Sequence, residues 1–463
     1  MAKGLVIAGT HSGCGKTTTA LGLMAALTRR GLRVAPFKVG PDFIDPGHHE
    51  RVTGETSRNL DGWMLDRETN ETSFTRSVRG ADVAVVEGVM GLYDGYDGRS
   101  EAGSTAQMAK WLDLPAVLVV DARSMARSAA ALLMGFERFD PELRFAGVLF
   151  NRIGSSRHLA YLIEAMAGAV RMPVLGGVSR EAAITIPERH LGLVTGGDHP
   201  LTDSDVDRLA DLMEESLDLD RLLDRAKEIP EAPPPAVEPP RDDDPVTLAV
   251  ARDNAFCFYY ADNLDMLRAA GARLVEFSPV AGDPIPDGAD GVYLGGGYPE
   301  LFAPAISRNR AFRTGLLTSS RDGMPIYAEC GGLMVLCESL IDADGESHEM
   351  AGCFPLTVRM LDRRRSLGYR EIRLRRETII GAVGDRIRGH EFHYSDLAGP
   401  PPPGLETVYD VAARGAGEPK AEGYCVRRTL GSYIHLHFGS RPAAAGRLIQ
   451  ACRDYRRERK SIP

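Results

Sequence analysis

Two hydrophobic rhythms alternate along most of the chain. Short, continuous runs of β-branched and aliphatic residues are separated by longer stretches whose apolar positions recur at helical spacing. In the first half the runs are residues 4–8, 33–39, 83–87, 116–121, 146–150 and 174–178. A strand that is apolar at nearly every position is covered on both faces, and strands alternating with helices form a parallel sheet. The pattern resumes at 246–251, 273–277, 291–294 and 325–328, then changes character beyond about residue 350. There, 370–374, 391–394 and 433–438 read as strands without long helices between them, and 441–459 as a closing helix. The chain is therefore predicted to be α/β, with two doubly wound domains. The first is a parallel sheet; the second adds antiparallel strands.

Between the halves, residues 228–245 read EIPEAPPPAVEPPRDDDP. Proline at this density sustains neither a helix nor a central strand, and the carboxylates keep the segment solvated. The predicted organisation is domains at 1–227 and 246–463 joined by this linker.

Composition narrows the function. The 55 Lys and Arg against 64 Asp and Glu leave a net charge of -9, which excludes a general nucleic-acid-coating role. Seven cysteines are scattered without a CxxC pair, so neither a disulfide framework nor a structural zinc site is expected, and a reduced, cytoplasmic protein fits. The N-terminal apolar stretch is strand-length and runs straight into a glycine loop, unlike a signal peptide. No apolar run approaches the roughly 20 residues that span a bilayer.

The first strand runs into GTHSGCGKTT (9–18) and a helical stretch. In such a loop backbone N–H groups wrap phosphate oxygens at a helix N-terminus. Gly13, Gly15, Lys16, Thr17 and Thr18 are the candidate nucleotide-binding residues, with Lys16 neutralising phosphate charge and the Thr17 hydroxyl reaching Mg²⁺. The loop departs from the commonest spacing, because Thr10 stands where the first glycine is usual. Asp42, Asp45 and Glu87 close the next strands at their carboxyl ends, where open α/β sheets bind ligands. They are candidates for metal or substrate handling, Asp42 and Glu87 as Mg²⁺ ligands beside Thr17. Turn-forming Asp next to Pro is the plainer alternative.

In the second half the strand ending at Ala328 leads to Glu329-Cys330-Gly331-Gly332 and an apolar helix. A cysteine on a sharp strand-to-helix turn is exposed for nucleophilic attack, and a helix N-terminus favours its thiolate. Gly296, Gly297 and Gly331 offer backbone N–H groups for an oxyanion. His435 and His437 both qualify as the base, and two-residue spacing on a strand leaves them on one face. His390 and His393 resemble a metal pair, but three-residue spacing on a strand puts them on opposite faces. A nucleotide site and a thiol elbow in one chain suggest amide formation. ATP would activate a carboxylate as an acyl phosphate, and a cysteine half would release ammonia from L-glutamine.

At this point the sequence resembles the cobyrinic acid a,c-diamide synthases of cobalamin biosynthesis over essentially its whole length. The resemblance rests on GTHSGCGKTT (9–18), FKVGPDFIDPGHH (37–49), VVEGVMGLYDG (85–95), ARDNAFCFYYADNL (251–264), YLGGGYPEL (293–301), AECGGLMVL (328–336), GHEFHYS (389–395) and SYIHLHF (432–438). It implies a dethiobiotin synthetase-like P-loop half fused to a class I-type glutamine amidotransferase half. ATP and glutamine are the implied co-substrates, Mg²⁺ the cofactor and a tetrapyrrole the substrate, with no nucleic-acid or membrane partner; homodimerisation is left open. Cys330 matches the family's nucleophile and His435 its activating histidine. Where many class I amidotransferases carry a Glu two residues after that histidine, this chain has His437. An orienting carboxylate must come from elsewhere, or the site is a dyad. A polycarboxylate substrate also needs local cations, for which Lys38, Arg152 and Arg363–Arg365 are candidates. Relatives that amidate other tetrapyrrole carboxylates share most of these motifs. A switch or partitioning ATPase would instead carry an extra lysine early in the loop.

Overall fold

The computed structural model describes residues 1–180, 201–230, 244–412 and 418–461. Those up to Pro230 form one compact unit and those from Asp244 onward another.

In the N-terminal unit the strands are β1 (Ala2–Gly9), β2 (Val34–Val39), β3 (Arg58–Leu60), β4 (Val83–Glu87), β5 (Ala116–Asp121), β6 (Phe145–Ile153), β7 (Val174–Ser179) and β8 (Lys227–Ile229). They form one sheet in the order β3-β2-β4-β1-β5-β6-β7, with parallel pairing along that path. β8 returns antiparallel to the start of β1. The run of β1 explains why the sheet needs cover on both sides. Val6 and Ala8 enter one apolar cluster, while Leu5 and Ile7 enter a second with the helix α1 (Lys16–Arg29). Successive side chains of a strand point to opposite faces, so the two clusters are the two covered sides of the sheet.

β8 takes in Glu228 and Ile229, the first two residues expected in the linker. They pair with Ala2 and Lys3, so the strand ladder holds them rather than solvent. Residues 231–243 of the expected linker lie outside the described residues.

The C-terminal unit carries β9 (Val246–Ala251), β10 (Ala272–Phe277), β11 (Gly291–Leu294) and β12 (Ile326–Glu329), which pair in parallel in the order β10-β9-β11-β12. The parallel strand Thr429–Ser432 comes next, followed by antiparallel strands Lys420–Val426, Glu406–Val411, Ser366–Leu374, Arg386–His393 and Ile434–Leu436. The same alternation governs this sheet: Val292 and Leu294 feed one core, Tyr293 and Tyr327 the other. The expected architecture of two α/β domains, the second with added antiparallel strands, is the one observed.

Candidate functional site

The N-terminal site grows out of the turn that follows β1. Gly13 (φ 80°) and Gly15 (φ 105°) occupy the left-handed region, where a Cβ is strained. Gly15 caps α1 without any side-chain hydrogen bond, leaving the first N–H groups of a 14-residue helix turned towards the loop. A Cβ on Gly15 would also lie 2.0 Å from the Asn151 amide nitrogen. Asn151, on β6, donates to the Cys14 carbonyl at 2.9 Å and so pins the loop from across the sheet. Lys16 donates to the His11 carbonyl at 3.3 Å, and burial lowers its pKa.

Next to this loop lies a buried charge cluster. Glu87 accepts from the Thr17 hydroxyl at 2.7 Å and from Lys38 at 2.8 Å, while its other oxygen meets His49 at 2.7 Å. Lys38 also pairs with Asp45 at 2.5 Å. Burial opposes ionisation of Glu87, but Lys38 and His49 outweigh it and hold the carboxyl below its ordinary range. Burial, with the charges of Asp42 and Glu87, pushes Asp45 up to about 6. Asp42 acts on its own turn, where Oδ1 accepts the N–H groups of Ile44 at 2.7 Å and Asp45 at 3.1 Å and shapes the start of α2 (Ile44–Thr53). The structure thus joins Thr17 to Glu87 directly and Asp45 to Glu87 through Lys38, with Asp42 on the adjoining turn. Hydroxyl and carboxylate oxygens are the donors that Mg²⁺ takes, so the side chains present suit that ion.

Two of the expected substrate-gathering cations are committed elsewhere. Lys38 is buried between Asp45 and Glu87, and Arg152 pairs with Asp121 at 2.5 Å. Arg365 pairs with Asp396 at 2.6 Å, with both side chains exposed.

The C-terminal site is built around the end of β12. Cys330 sits at φ 48° and ψ -103°, a strained geometry for a residue with a Cβ. Its N–H donates to the Ser432 carbonyl at 2.7 Å, which fixes the bend from the neighbouring strand. The helix that follows is only Gly331–Leu336. Contrary to the expected stabilised thiolate, burial and then the charge of Glu300 push the Cys330 thiol up, against a hydrogen bond from the Gly331 N–H. The resting sulfur is therefore a thiol that needs a base.

His435 and His437, which spacing left equivalent, have different surroundings. A Cβ on Gly296 would lie 2.2 Å from His435 Cε1, and the ring of Phe258 is 6.4 Å from the imidazole. His437 instead accepts the Gly439 N–H at 3.1 Å and packs on Tyr260 at 4.7 Å. The strand ends at Leu436, and His437 caps the turn Phe438–Ser440. Burial, followed by the charges of His390 and His393, lowers His435 to about 3, so its imidazole is neutral at ordinary pH.

The glycines link these residues. Gly296 makes room for His435, while Gly297, at φ 151°, comes close to Gly331: its nitrogen is 3.2 Å from the position of a Cβ on Gly331. A Cβ on Gly297 would meet the Ala255 carbonyl at 2.3 Å. Only bare backbone fits at these three positions, and the Gly331 N–H reaches the Cys330 sulfur.

A carboxylate next to the histidine escaped sequence reasoning. Glu329, one residue before the cysteine, places Oε2 at 4.0 Å from His435 Nδ1. It accepts from the hydroxyls of Tyr293 at 2.9 Å and Tyr327 at 2.7 Å, and from the Leu436 N–H at 2.9 Å. Tyr293 and Tyr327 are in register, and Glu329 follows two residues later on the same face. The alternation Tyr-x-Glu within an apolar strand was the available signal. Burial raises Glu329 to about 7. The motif 390–393 is a strand, as expected. His393 stacks on Tyr433 at 4.0 Å and bonds Glu391 at 2.9 Å.

Together these sites define an α/β protein with a phosphate-loop unit and a cysteine-elbow unit. The model of the CobQ/CobB/MinD/ParA nucleotide-binding domain matches residues 5–194, and that of the CobB/CobQ-like glutamine amidotransferase domain matches 247–443. The chain belongs to the cobyrinate a,c-diamide synthase family. It is 47% identical to the cobyrinate a,c-diamide synthase of Syntrophotalea carbinolica over 451 residues, covering 97% of this chain and 98% of the relative. The proteins of that name from Leptospira interrogans and Salmonella typhimurium are 41% and 42% identical, each covering 97% of this chain and 98% of its own length. No helix among the described residues is long and apolar enough to cross a membrane.

Proposed function

We propose that the chain amidates the a- and c-side-chain carboxylates of cobyrinic acid, using ATP and ammonia taken from glutamine. The observation that carries this reading is the pairing, in one member of this family, of a glycine loop braced against buried carboxylates with a strained cysteine elbow whose preceding residue, Glu329, faces a buried histidine at 4.0 Å.

In the C-terminal unit, His435 takes the proton of the Cys330 thiol as sulfur attacks the side-chain amide carbon of glutamine. The N–H groups of Gly297 and Gly331 hold the oxyanion. The proton passes to the departing nitrogen, leaving a γ-glutamyl thioester that water cleaves. Glu329 faces Nδ1 of the imidazole at 4.0 Å, positioned for the part a glutamate two residues beyond the histidine plays in many class I amidotransferases.

In the N-terminal unit, Gly13, Gly15 and the first N–H groups of α1 cradle the phosphates, with Thr18 in that first turn. Lys16 offsets their charge. Thr17 and Glu87, with Asp42 or Asp45, would hold Mg²⁺, which supplies charge neutralisation at the phosphates when bound. The substrate carboxylate becomes an acyl phosphate, and ammonia displaces the phosphate to form the amide.

The test is Cys330→Ser assayed with two nitrogen sources. Glutamine-supported amidation is expected to fall at least about a thousandfold, with ammonium-supported amidation retained. A folded variant that loses both activities contradicts separable sites.

A further inference from the structure

The glycine motif ends on a carboxylate that none of these steps uses. Glu300 lies in the turn Pro299–Phe302 and lines the cleft that also holds Cys330. Phe258, Phe392 and Tyr394 supply aromatic wall, and Met334 adds an apolar face.

Other carboxylates of this unit have matched surroundings. Glu391 has His393 at 2.9 Å and Arg370 at 2.6 Å, and Glu329 has two tyrosine hydroxyls. Glu300 is half-buried, and among the described residues the donor beside its carboxylate is its own backbone N–H. Burial pushes it up to about 7, and its charge is felt at the Cys330 sulfur. A carboxylate held against apolar walls without a cation is costly. A ligand that brings an ammonium group removes the cost, and aromatic faces favour such a cation. In glutamine the α-carbon lies a few bonds from the amide that Cys330 attacks, so a carboxylate lining the same cleft is the group its ammonium would meet.

We propose that Glu300 binds the α-ammonium group of L-glutamine and thereby selects an α-amino acid amide over other carboxamides. The proposal rests on the assignment of Cys330 as the attacking thiol. Glu300 takes no part in bond making; it sets where the substrate sits.

The experiment compares amide hydrolysis of L-glutamine with that of glutaramate, which has hydrogen in place of the α-amino group. Rates are normalised to the ammonium-supported amidation of the same preparation. The native protein is expected to favour glutamine in kcat/KM by about tenfold to hundredfold. Glu300→Gln is expected to raise KM for glutamine by a similar factor and to abolish the preference, while Glu300→Asp keeps part of it. A native protein that does not distinguish the two amides overturns the proposal whatever the variants do. A Glu300→Gln variant that keeps the preference, or loses kcat equally for both amides at unchanged KM, also overturns it. Cys330→Ser in the same assay separates the two levels: residual hydrolysis there would sink the nucleophile assignment rather than the ammonium subsite.

Discussion

At the residue scale, the carboxyl beside the catalytic pair couples stability to pH. Glu329 is raised from 4.5 to about 7 by burial, against hydrogen bonds from two tyrosines and a backbone N–H. A carboxyl whose folded value lies above its unfolded value favours the folded state most below the unfolded value. That contribution is lost as pH rises through about 7. Glu329→Gln removes this dependence. Unfolding free energies from urea titrations between pH 5 and 8 are expected to fall less steeply in the variant, by at most about 3 kcal/mol across the range. Parallel curves would contradict a buried, titrating Glu329. The same variant is expected to lower kcat for glutamine hydrolysis while changing KM little, because the carboxylate acts on the imidazole and not on glutamine. Lys38 shows how burial redirects a charged side chain. Read in the sequence as a collector of substrate carboxylates, it closes an internal cluster with Asp45 and Glu87.

At the scale of elements, the two sites occupy the ends of parallel strands, where chain direction changes. The long apolar runs of β1, β4, β5 and β9 were legible because residues buried on both faces leave no polar alternation. β3 was not: Arg58–Leu60 is three residues long and carries no apolar run. The antiparallel part was seen only in fragments, since strands such as Lys420–Val426 mix charge with apolar residues. Site residues follow the same rule. Lys16, Thr17 and Cys330 announce themselves through local motifs. Asn151 and Glu329 owe their places to contacts with residues 137 and 107 positions away, which no local pattern encodes. Gly296 shows how strictly an element end is shaped. With a Cβ only 2.2 Å from His435 Cε1, Gly296→Ala must move the ring or the loop. The expected outcome is a loss of about 1–3 kcal/mol in stability, together with at least a tenfold fall in glutamine hydrolysis. Thermal melts and initial rates measure both, and native values for the two would contradict the packing described.

At the scale of the whole molecule, each unit carries a complete α/β sheet and one site. Two variants should therefore divide the chemistry differently. Lys16→Ala is expected to abolish amidation with glutamine and with ammonium alike, because both routes need the activated carboxylate, whereas Cys330→Ser abolishes only the first. A Lys16→Ala protein that still amidates with ammonium would remove the phosphate loop from the reaction.

The most direct measurement follows nitrogen. The protein is incubated with ATP, Mg²⁺ and glutamine labelled with ¹⁵N in its side-chain amide, against cobyrinic acid and a panel of other tetrapyrrole carboxylates. Cobyrinic acid is expected to gain two labelled amides, at the a and c positions, only when ATP is present. Labelling of another tetrapyrrole in preference to cobyrinic acid, or amidation without ATP, would contradict the assignment.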